Sequence, residues 1–454
     1  MRIAIITENF LPKVDGVTRT LARLLEHLQV TGHEVLLLGP ESGQEEYAGA
    51  KLLGTAGIPF MPYPELKLNL WRPTFTQRLV EFDPQVIHLV DPVWLGAAGL
   101  AICRMHLPHV PLVSSYHTNL ATYCGHFGFG FFTPLMWRWN RFCHASCAYV
   151  VCPSPSTRRI LEKQHFERVR IWPRGVDDTV FSPTRRSNHL RHQWVDDADQ
   201  KTIILYVGRV SFEKNLKLVL DAYRHMDHTT CHLVIVGHGP AFDEIQQTCV
   251  EAGTPVTFTG YLQGLHLATA YASADVFAFP SVTETFGQVV LEAMASGLPV
   301  AALRAEGVRD LVDHEHTGLL MNAKAGPVRY RANLNRLVQD PATRSRMGRA
   351  AVAKSKQYTW WEAMECMVRT YKDAISLKWH HQNQQPGTEL ATTAIVAAAV
   401  GATTGTAAVA EVELGPSRAD AVDDQSDDSG VEEDCCSLGE EHYQQEQARQ
   451  FAIS

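Results

Sequence analysis

Arg209 and Lys214 stand five positions apart in Tyr206-Val-Gly-Arg-Val-Ser-Phe-Glu-Lys-Asn215, directly after the apolar run Thr202–Tyr206. A guanidinium can chelate one phosphate through parallel N–H bonds, and an ammonium supplies point charge to a second. The pair therefore suits a diphosphate. Taken alone it suits ordinary surface charge as well, and Glu213 between the two could pair with either. A second segment, Glu284-Thr-Phe-Gly-Gln-Val-Val-Leu-Glu292, frames a loop and a helix start with two carboxylates. The seven residues between them span roughly two turns at 3.6 residues each. That puts Glu284 in the loop and Glu292 two turns into the helix. The amides of Phe286, Gly287 and Gln288 would lie at the helix start without intrahelical acceptors, where the helix dipole favours negative charge. Gly287 lets a ligand approach the backbone closely. By itself, a glutamate pair at this spacing also describes an exposed helix with two solvated acids.

These residues need a frame, and the chain supplies one twice. Residues 3–6, Val35–Leu38, Val86–Val90 and Val113–Tyr116 read as short buried strands, with a helix at Thr18–Val30 just after Gly16. Thr202–Tyr206, Leu233–Val236, Val256–Phe258 and Val276–Phe279 repeat the alternation. Short apolar strands alternating with helices mean parallel α/β sheets, whose ligands bind at the carboxyl ends of strands. Gly16, Asp91 and His117 fall at such ends, although a histidine there is by itself more simply a core residue. Trp172–Asp177 and Phe181–Pro183 carry turn signals and read as a linker, followed by a basic, solvated stretch at Arg185–His192. The expected domains are 1–175, a linker at 176–200, a second domain at 201–358 and a terminal segment at 359–380. The remainder, 381–454, is a tail.

The chain has 454 residues, 45% of them hydrophobic, enough for two or three cores. The net charge of -8 is uneven: residues 381–454 hold 14 acidic and 2 basic side chains. Such a tail cannot bury enough apolar surface to order itself, so disorder is expected there. The body is only mildly basic, which argues against a nucleic-acid partner and leaves room for an anionic substrate or membrane surface. The 10 cysteines form no CxxC pair and read as small buried residues of a reducing compartment. The tail pair Cys435-Cys436 lacks the apolar or basic flanks of an acylation site. Met1-Arg2-Ile-Ala-Ile-Ile6 starts a strand at once, so no secretory leader is expected, and no run of about 20 apolar residues suggests a membrane span.

Other motifs are weaker. Gly237-His-Gly-Pro240 is a glycine turn after a strand, suited to close ligand approach, but it lacks the third glycine of a dinucleotide fingerprint. Gly125, Gly128 and Gly130 follow no strand. Asp197-Ala-Asp199 lies in a polar linker and reads as a solvated loop, not a metal site. Phe131–Cys147 reads as a helix carrying Phe131, Phe132, Trp137, Trp139 and Phe142 with Arg138 and Arg141 interleaved. It is either a half-buried helix with two solvated arginines or a face that meets lipid.

Together, the Glu284-x7-Glu292 motif, the loop with Gly208, Arg209 and Lys214, the Gly16 turn and Ser115-Tyr-His-Thr118 resemble the GT-B retaining glycosyltransferases of family 4. The resemblance spans about residues 1–380. Ser115–Thr118, Pro134-Leu-Met-Trp137, Arg174-Gly-Val-Asp177 and Ala270-Tyr-Ala-Ser-Ala-Asp275 look most like sulfoquinovosyl-diacylglycerol synthases. Phe10-Leu-Pro-Lys-Val-Asp-Gly-Val17 looks more like lipid α-mannosyltransferases.

The resemblance implies two Rossmann-like domains facing a cleft, with Thr359–Trp379 crossing back to the first. It implies a nucleotide-diphosphate sugar as donor, UDP-sulfoquinovose first and GDP-mannose second, and a lipid acceptor such as diacylglycerol. Arg209 and Lys214 would stabilise the departing diphosphate beside the helix start at Phe286–Gln288. Glu292 would accept from the ribose hydroxyls and Glu284 from the sugar's. Tyr261 and Leu262 would flank the base. Gly16 would admit the diphosphate, and His117 would contact the sugar across the cleft. Anomeric configuration would be retained by same-face attack, with neither metal nor cofactor. The protein would be cytoplasmic or peripheral on a membrane. The alternatives are a soluble sugar or glycan acceptor, and a sugar-nucleotide-binding protein without turnover.

Overall fold

The computed structural model describes residues 1–384 apart from 13, 14, 61, 62, 120, 122–129, 323 and 325. The tail expected to be disordered lies, beyond Gln384, outside the described residues, as do Gly125 and Gly128. In chain order the first half forms β1 (Arg2–Thr7), β2 (Glu34–Pro40), β3 (Glu46–Tyr47), β4 (Ala50–Thr55), a hairpin of β5 (Gly57–Phe60) and β6 (Tyr63–Asn69), β7 (Val86–Val90), β8 (Leu112–Ser115), β9 (Tyr149–Cys152) and β10 (Val169–Ile171). All but the hairpin join one eight-stranded sheet, ordered β10-β9-β8-β7-β1-β2-β4-β3, parallel except for β3. The second half forms β11 (Thr202–Val207), β12 (Cys231–Val236), β13 (Val256–Gly260), β14 (Val276–Phe279), β15 (Val300–Leu303) and β16 (Gly318–Met321). They make a six-stranded parallel sheet, ordered β13-β12-β11-β14-β15-β16. Every residue of β7, β11, β12 and β14 is buried, as continuous apolar runs require when helices cover both faces of a parallel sheet.

Chain order reverses between β1 and β7 in the first sheet and between β11 and β14 in the second. A crevice opens beyond the carboxyl ends of strands at such a reversal. The residues just after these four strands are Glu8, Asp91, the Gly208–Arg209 pair and Pro280–Glu284. The topology thus selects the places where chemistry can be housed.

Helix Trp360–Gln384 packs on the first lobe. Its Met364, Met367 and Tyr371 join the core formed by β1, β2 and helix Gly16–Val30. Glu365 lies 2.7 Å from His27 Nε2, and Asp373 accepts from Arg170 at 2.5 Å. The chain passes between the lobes at two adjacent points, Gly175–Val176 and Tyr358–Trp360. They are bonded by Val176 N–H to the Tyr358 carbonyl at 2.9 Å. A Cβ on Gly175 would fall 2.2 Å from the Trp360 nitrogen, so only glycine permits the two strands of chain to touch there.

Two readings of the sequence change. The stretch Arg185–His192 is solvated only in part: Arg186, Asn188, His189 and His192 are exposed, but Arg191 is buried. Helix Asn188–Trp194 docks on the second lobe, where buried Arg191 donates to the Ser273 carbonyl at 2.7 Å and to Asp275 Oδ2 at 2.8 Å. Arg186 pairs with the other oxygen of Asp275 at 2.9 Å. The carboxylate lies 84 positions from Arg191 and 89 from Arg186, so charge alone could not reveal the pairing. The first helix starts at Gly16 and not at Thr18, because Asp15 Oδ1 caps the amides of Val17 and Thr18 at 3.0 and 2.9 Å. Among the described residues, no helix is long and apolar enough to cross a membrane.

Candidate active site

The loops after β11 and β14 are stitched together by Asn215 Nδ2, which donates to the Pro280 carbonyl at 3.3 Å. Asn215 ends the single turn Phe212–Lys214 in a left-handed conformation, φ 57°, which asparagine tolerates. That geometry delivers Lys214 to Glu284, with Nζ 2.5 Å from Oε1. Ser281 Oγ donates to the same oxygen at 3.1 Å. Glu213, the other candidate partner, accepts from Ser211 Oγ at 2.6 Å. Both members of the Lys214–Glu284 pair are about four-fifths covered, so the charges are partly desolvated and their position is well specified.

Arg209 follows Gly208, and its carbonyl accepts from the Tyr206 hydroxyl at 3.0 Å. The glycine turn at Gly237 packs against this loop. At φ 131° a Cβ on Gly237 would lie 2.0 Å from the Gly208 carbonyl oxygen. Glycine is required there by backbone against backbone, a second demand beside the ligand approach expected of this turn.

Gly287, at φ 96°, precedes helix Gln288–Ala295 without a side-chain cap. The amides of Phe286, Gly287 and Gln288 have no acceptor among the described residues. Because the helix begins at Gln288, Glu292 sits one turn in and not two. Its carboxylate is 3% exposed; it accepts from the Tyr271 hydroxyl at 3.1 Å and faces Arg19 of the first lobe at 3.8 Å. Burial pushes its pKa up, and Arg19 and Tyr271 partly oppose that. Tyr261 is 57% exposed beyond the end of β13, whereas Leu262 packs against the second-lobe core. Gly16 has open space where a Cβ would stand.

The imidazole of His117 is placed differently from the expectation. The ring is buried and both nitrogens have protein partners: Arg174 at 2.6 Å from Nδ1 and Ser115 Oγ at 2.8 Å from Nε2. A guanidinium only donates, so Nδ1 accepts and the proton of this neutral ring sits on Nε2. Nε2–H then donates to Ser115, whose hydroxyl donates to His88 Nε2 at 2.9 Å. His88 in turn presents Nδ1–H to the Tyr371 hydroxyl at 2.8 Å. Burial holds His88 at a pKa of about 3 and His117 well below its usual value, which keeps both rings neutral along this chain. What His117 offers the other lobe is its carbonyl, which accepts from Thr285 Oγ1 at 2.8 Å.

Several contributors were given no role from the sequence, although Asp91 was placed at a strand end. Buried Arg174 belongs to a stretch read as linker and as part of a family-like motif, with no role of its own; burial lowers it to about 9, still a cation at neutral pH. Asp91 accepts from the amides of His117 and Thr118 at 2.6 and 3.3 Å and from the Thr118 hydroxyl at 2.9 Å. Glu8 accepts from the amides of Trp94 and Gly96 at 2.8 and 3.1 Å. Burial raises both carboxyls to about 6. Glu306 accepts from Thr157 Oγ1 across the lobes at 3.1 Å. A carboxylate after a strand was the available signal for Glu8 and Asp91; Glu306 gave none.

The aromatic helix is Thr133–Ala145, preceded by the turn Gly130–Phe132. Trp137 stacks on Tyr116, and Trp139 Nε1 donates to the Val93 carbonyl at 3.0 Å. Phe131 (74% exposed), Leu135 (60%), Arg138 and Phe142 recur at helical spacing on the uncovered face.

Two family models match the chain: Glycosyltransferase Family 4 over residues 14–180 and Glycosyl transferases group 1 over 191–354. A GDP-mannose-dependent alpha-mannosyltransferase of Mycolicibacterium smegmatis is 38% identical over 83% of this chain and 98% of its own. The sulfoquinovosyl transferase of Arabidopsis thaliana is 33% identical over 76% and 68%. An alpha-monoglucosyldiacylglycerol synthase of Streptococcus pneumoniae is 27% identical over 70% and 75%. Among solved structures, sucrose-phosphate synthase from Thermosynechococcus elongatus superposes with a TM-score of 0.70, at 20% identity over 83% of this chain and 99% of that one. That likeness shows the GT-B fold.

Proposed function

The chain belongs to glycosyltransferase family 4, and we propose that it transfers mannose from GDP-mannose to a lipid acceptor such as diacylglycerol, with retention of configuration and without a metal. The observation that carries a donor with a diphosphate leaving group is the Lys214–Glu284 pair, 2.5 Å apart beside the unpartnered amides of Phe286–Gln288. An ammonium held by one carboxylate, an arginine in the same loop and a helix start together form a cradle for developing phosphate charge. In this reading Arg209 and Lys214 take the diphosphate and supply the charge a metal would otherwise bring. Glu284 accepts from a sugar hydroxyl while Lys214 holds it in place. Glu292 accepts from the ribose, and Tyr261 with Leu262 flanks the base. Gly16 leaves room for the phosphates. His117 acts through its carbonyl and its loop, not through its ring.

A carboxylate nucleophile would have to sit about 5 Å from an acid partner. Glu284 is engaged by Lys214 and Ser281. That engagement supports same-face attack, with the leaving phosphate accepting the acceptor's proton. The greater identity to the mannosyltransferase, over nearly all of that protein, supports mannose ahead of sulfoquinovose. A lipid acceptor is supported by the diacylglycerol named for the streptococcal relative and by the exposed Phe131–Phe142 face.

The test incubates the full chain with radiolabelled GDP-mannose or UDP-sulfoquinovose and mixed lipids. Label in a lipid from GDP-mannose, with an α-linked product by NMR, is the expected result. Label from UDP-sulfoquinovose alone overturns the donor. Label only in added sugars or glycans favours a soluble acceptor, and nucleotide binding without transfer favours a non-catalytic role.

A further inference from the structure

Arg19 has no part in the scheme above, yet it links the two halves of the crevice. It lies in the first turn of helix Gly16–Val30, on the first lobe, and its Nη1 stands 3.8 Å from Glu292 Oε1 on the second. A direct N–H···O bond would measure about 2.7–3.2 Å. The pair is therefore an attraction across a gap, and the carboxylate's lone pairs remain available for hydroxyls. A carboxylate as buried as Glu292 needs a countercharge nearby, and Arg19 supplies it without occupying the acceptor sites.

The arginine itself is not consumed by this contact. Its side chain is 42% exposed, and among the described residues Glu292 is its only side-chain partner. A guanidinium carries five N–H donors in a planar fork that matches phosphate oxygens. Beside it, the space at Gly16 is open. A nucleotide whose ribose rests on Glu292 must run its phosphates from that carboxylate toward Arg209 and Lys214, and Arg19 borders the start of that path.

We infer that Arg19 is a donor-binding residue contributed by the first lobe, its guanidinium taking a phosphate of the nucleoside diphosphate while it counters Glu292. The inference rests on the donor reading above. It makes the phosphate site a joint product of both lobes, so a nucleotide seated on the second lobe alone lacks one of its cations.

Calorimetry of the full chain with GDP, UDP and the matching nucleosides separates the possibilities. Arg19→Ala should weaken the diphosphate about tenfold and leave the nucleoside within about twofold, because only the phosphate loses a charge-assisted bond. Arg19→Lys should recover part of the loss. The donor KM should rise with the diphosphate dissociation constant. An unchanged diphosphate affinity, or an equal loss for diphosphate and nucleoside, overturns the inference; the equal loss would mean that Arg19 acts only through Glu292. Wild-type protein that binds neither diphosphate overturns the donor reading itself. Arg19 is part-exposed on its helix, and Arg19→Ala removes the countercharge of Glu292, so thermal melting of both variants, with Arg19→Lys as the charge-keeping control, separates a loss of fold from a loss of phosphate binding.

Discussion

Thr285 Oγ1 on the second lobe donates to the carbonyl of His117 on the first at 2.8 Å. Thr285 stands between Glu284 and Phe286, so the bond ties the loop after β14 to the loop that Asp91 and Arg174 hold in place. Thr157 Oγ1 shares its one proton between Glu306 and the Thr285 carbonyl, each 3.1 Å away, and Gln288 Nε2 donates to the Gly175 carbonyl at 3.0 Å. The two lobes are therefore bonded to each other directly beside Glu284 and the helix start at Gln288.

Removing the Thr285 bond should act on turnover more than on folding. Thr285→Val keeps the shape and forfeits one hydrogen bond, about 0.5–1.5 kcal/mol. The expected result is a several-fold lower kcat with a nearly unchanged melting temperature. Equal kcat in the variant would show that the bond plays no part in closure.

Arg209→Ala should cost about 2–4 kcal/mol of transition-state stabilisation, read as the loss in kcat/KM. Chemical denaturation should shift by less than about 0.5 kcal/mol, since the side chain is not a core group. A variant with the wild-type rate would remove Arg209 from the reaction.

Gly237→Ala tests the packing of the two glycine loops. The added methyl would meet the Gly208 carbonyl at 2.0 Å, so the backbone must move. About 2–4 kcal/mol of stability should be lost, together with activity, because Arg209 rides on the displaced loop. Thermal denaturation of the variant checks the first part directly.

Asp91 sets a pH dependence with an unusual sign. Burial raises its pKa to about 6, against 3.8 in the exposed state. Between those values the folded chain binds more protons at this site than the unfolded chain, so the site's contribution to stability is present below about pH 4 and is lost as pH rises through about 6. Neighbouring Asp15 pushes in the same direction, while the amides of His117 and Thr118 and the Thr118 hydroxyl oppose it. Asp91→Asn removes the titration. The stability of the variant minus that of wild type should therefore climb by about 1–3 kcal/mol between pH 4 and 7. A flat difference from urea melts at those pH values would show that Asp91 titrates normally.

The sheets were legible because buried parallel strands are written as uninterrupted apolar runs. Val86–Val90 and Val276–Phe279 have the bounds read from sequence. Helix starts were less legible, since they depend on one capping group: Asp15 moved one start by two residues, and Gly287 moved another. Side-chain partners were least legible. Arg174 and His117 are 57 positions apart and Arg191 and Asp275 84 apart, and nothing in a linear pattern couples such pairs. His117 illustrates the cost: its place at a strand end pointed to the crevice, but the ring turned inward to Ser115 and Arg174.

The crossing helix has one more implication, for synthesis on the ribosome. Met364, Met367 and Tyr371 complete a core whose other walls, from Ile3 to Trp172, emerge long before them. The amino-terminal lobe therefore waits, with one apolar flank bare, until the whole carboxyl-terminal lobe has been translated. A nascent chain stalled at Tyr358 should be protease-sensitive at its oldest segment, and release of the final helix should protect it.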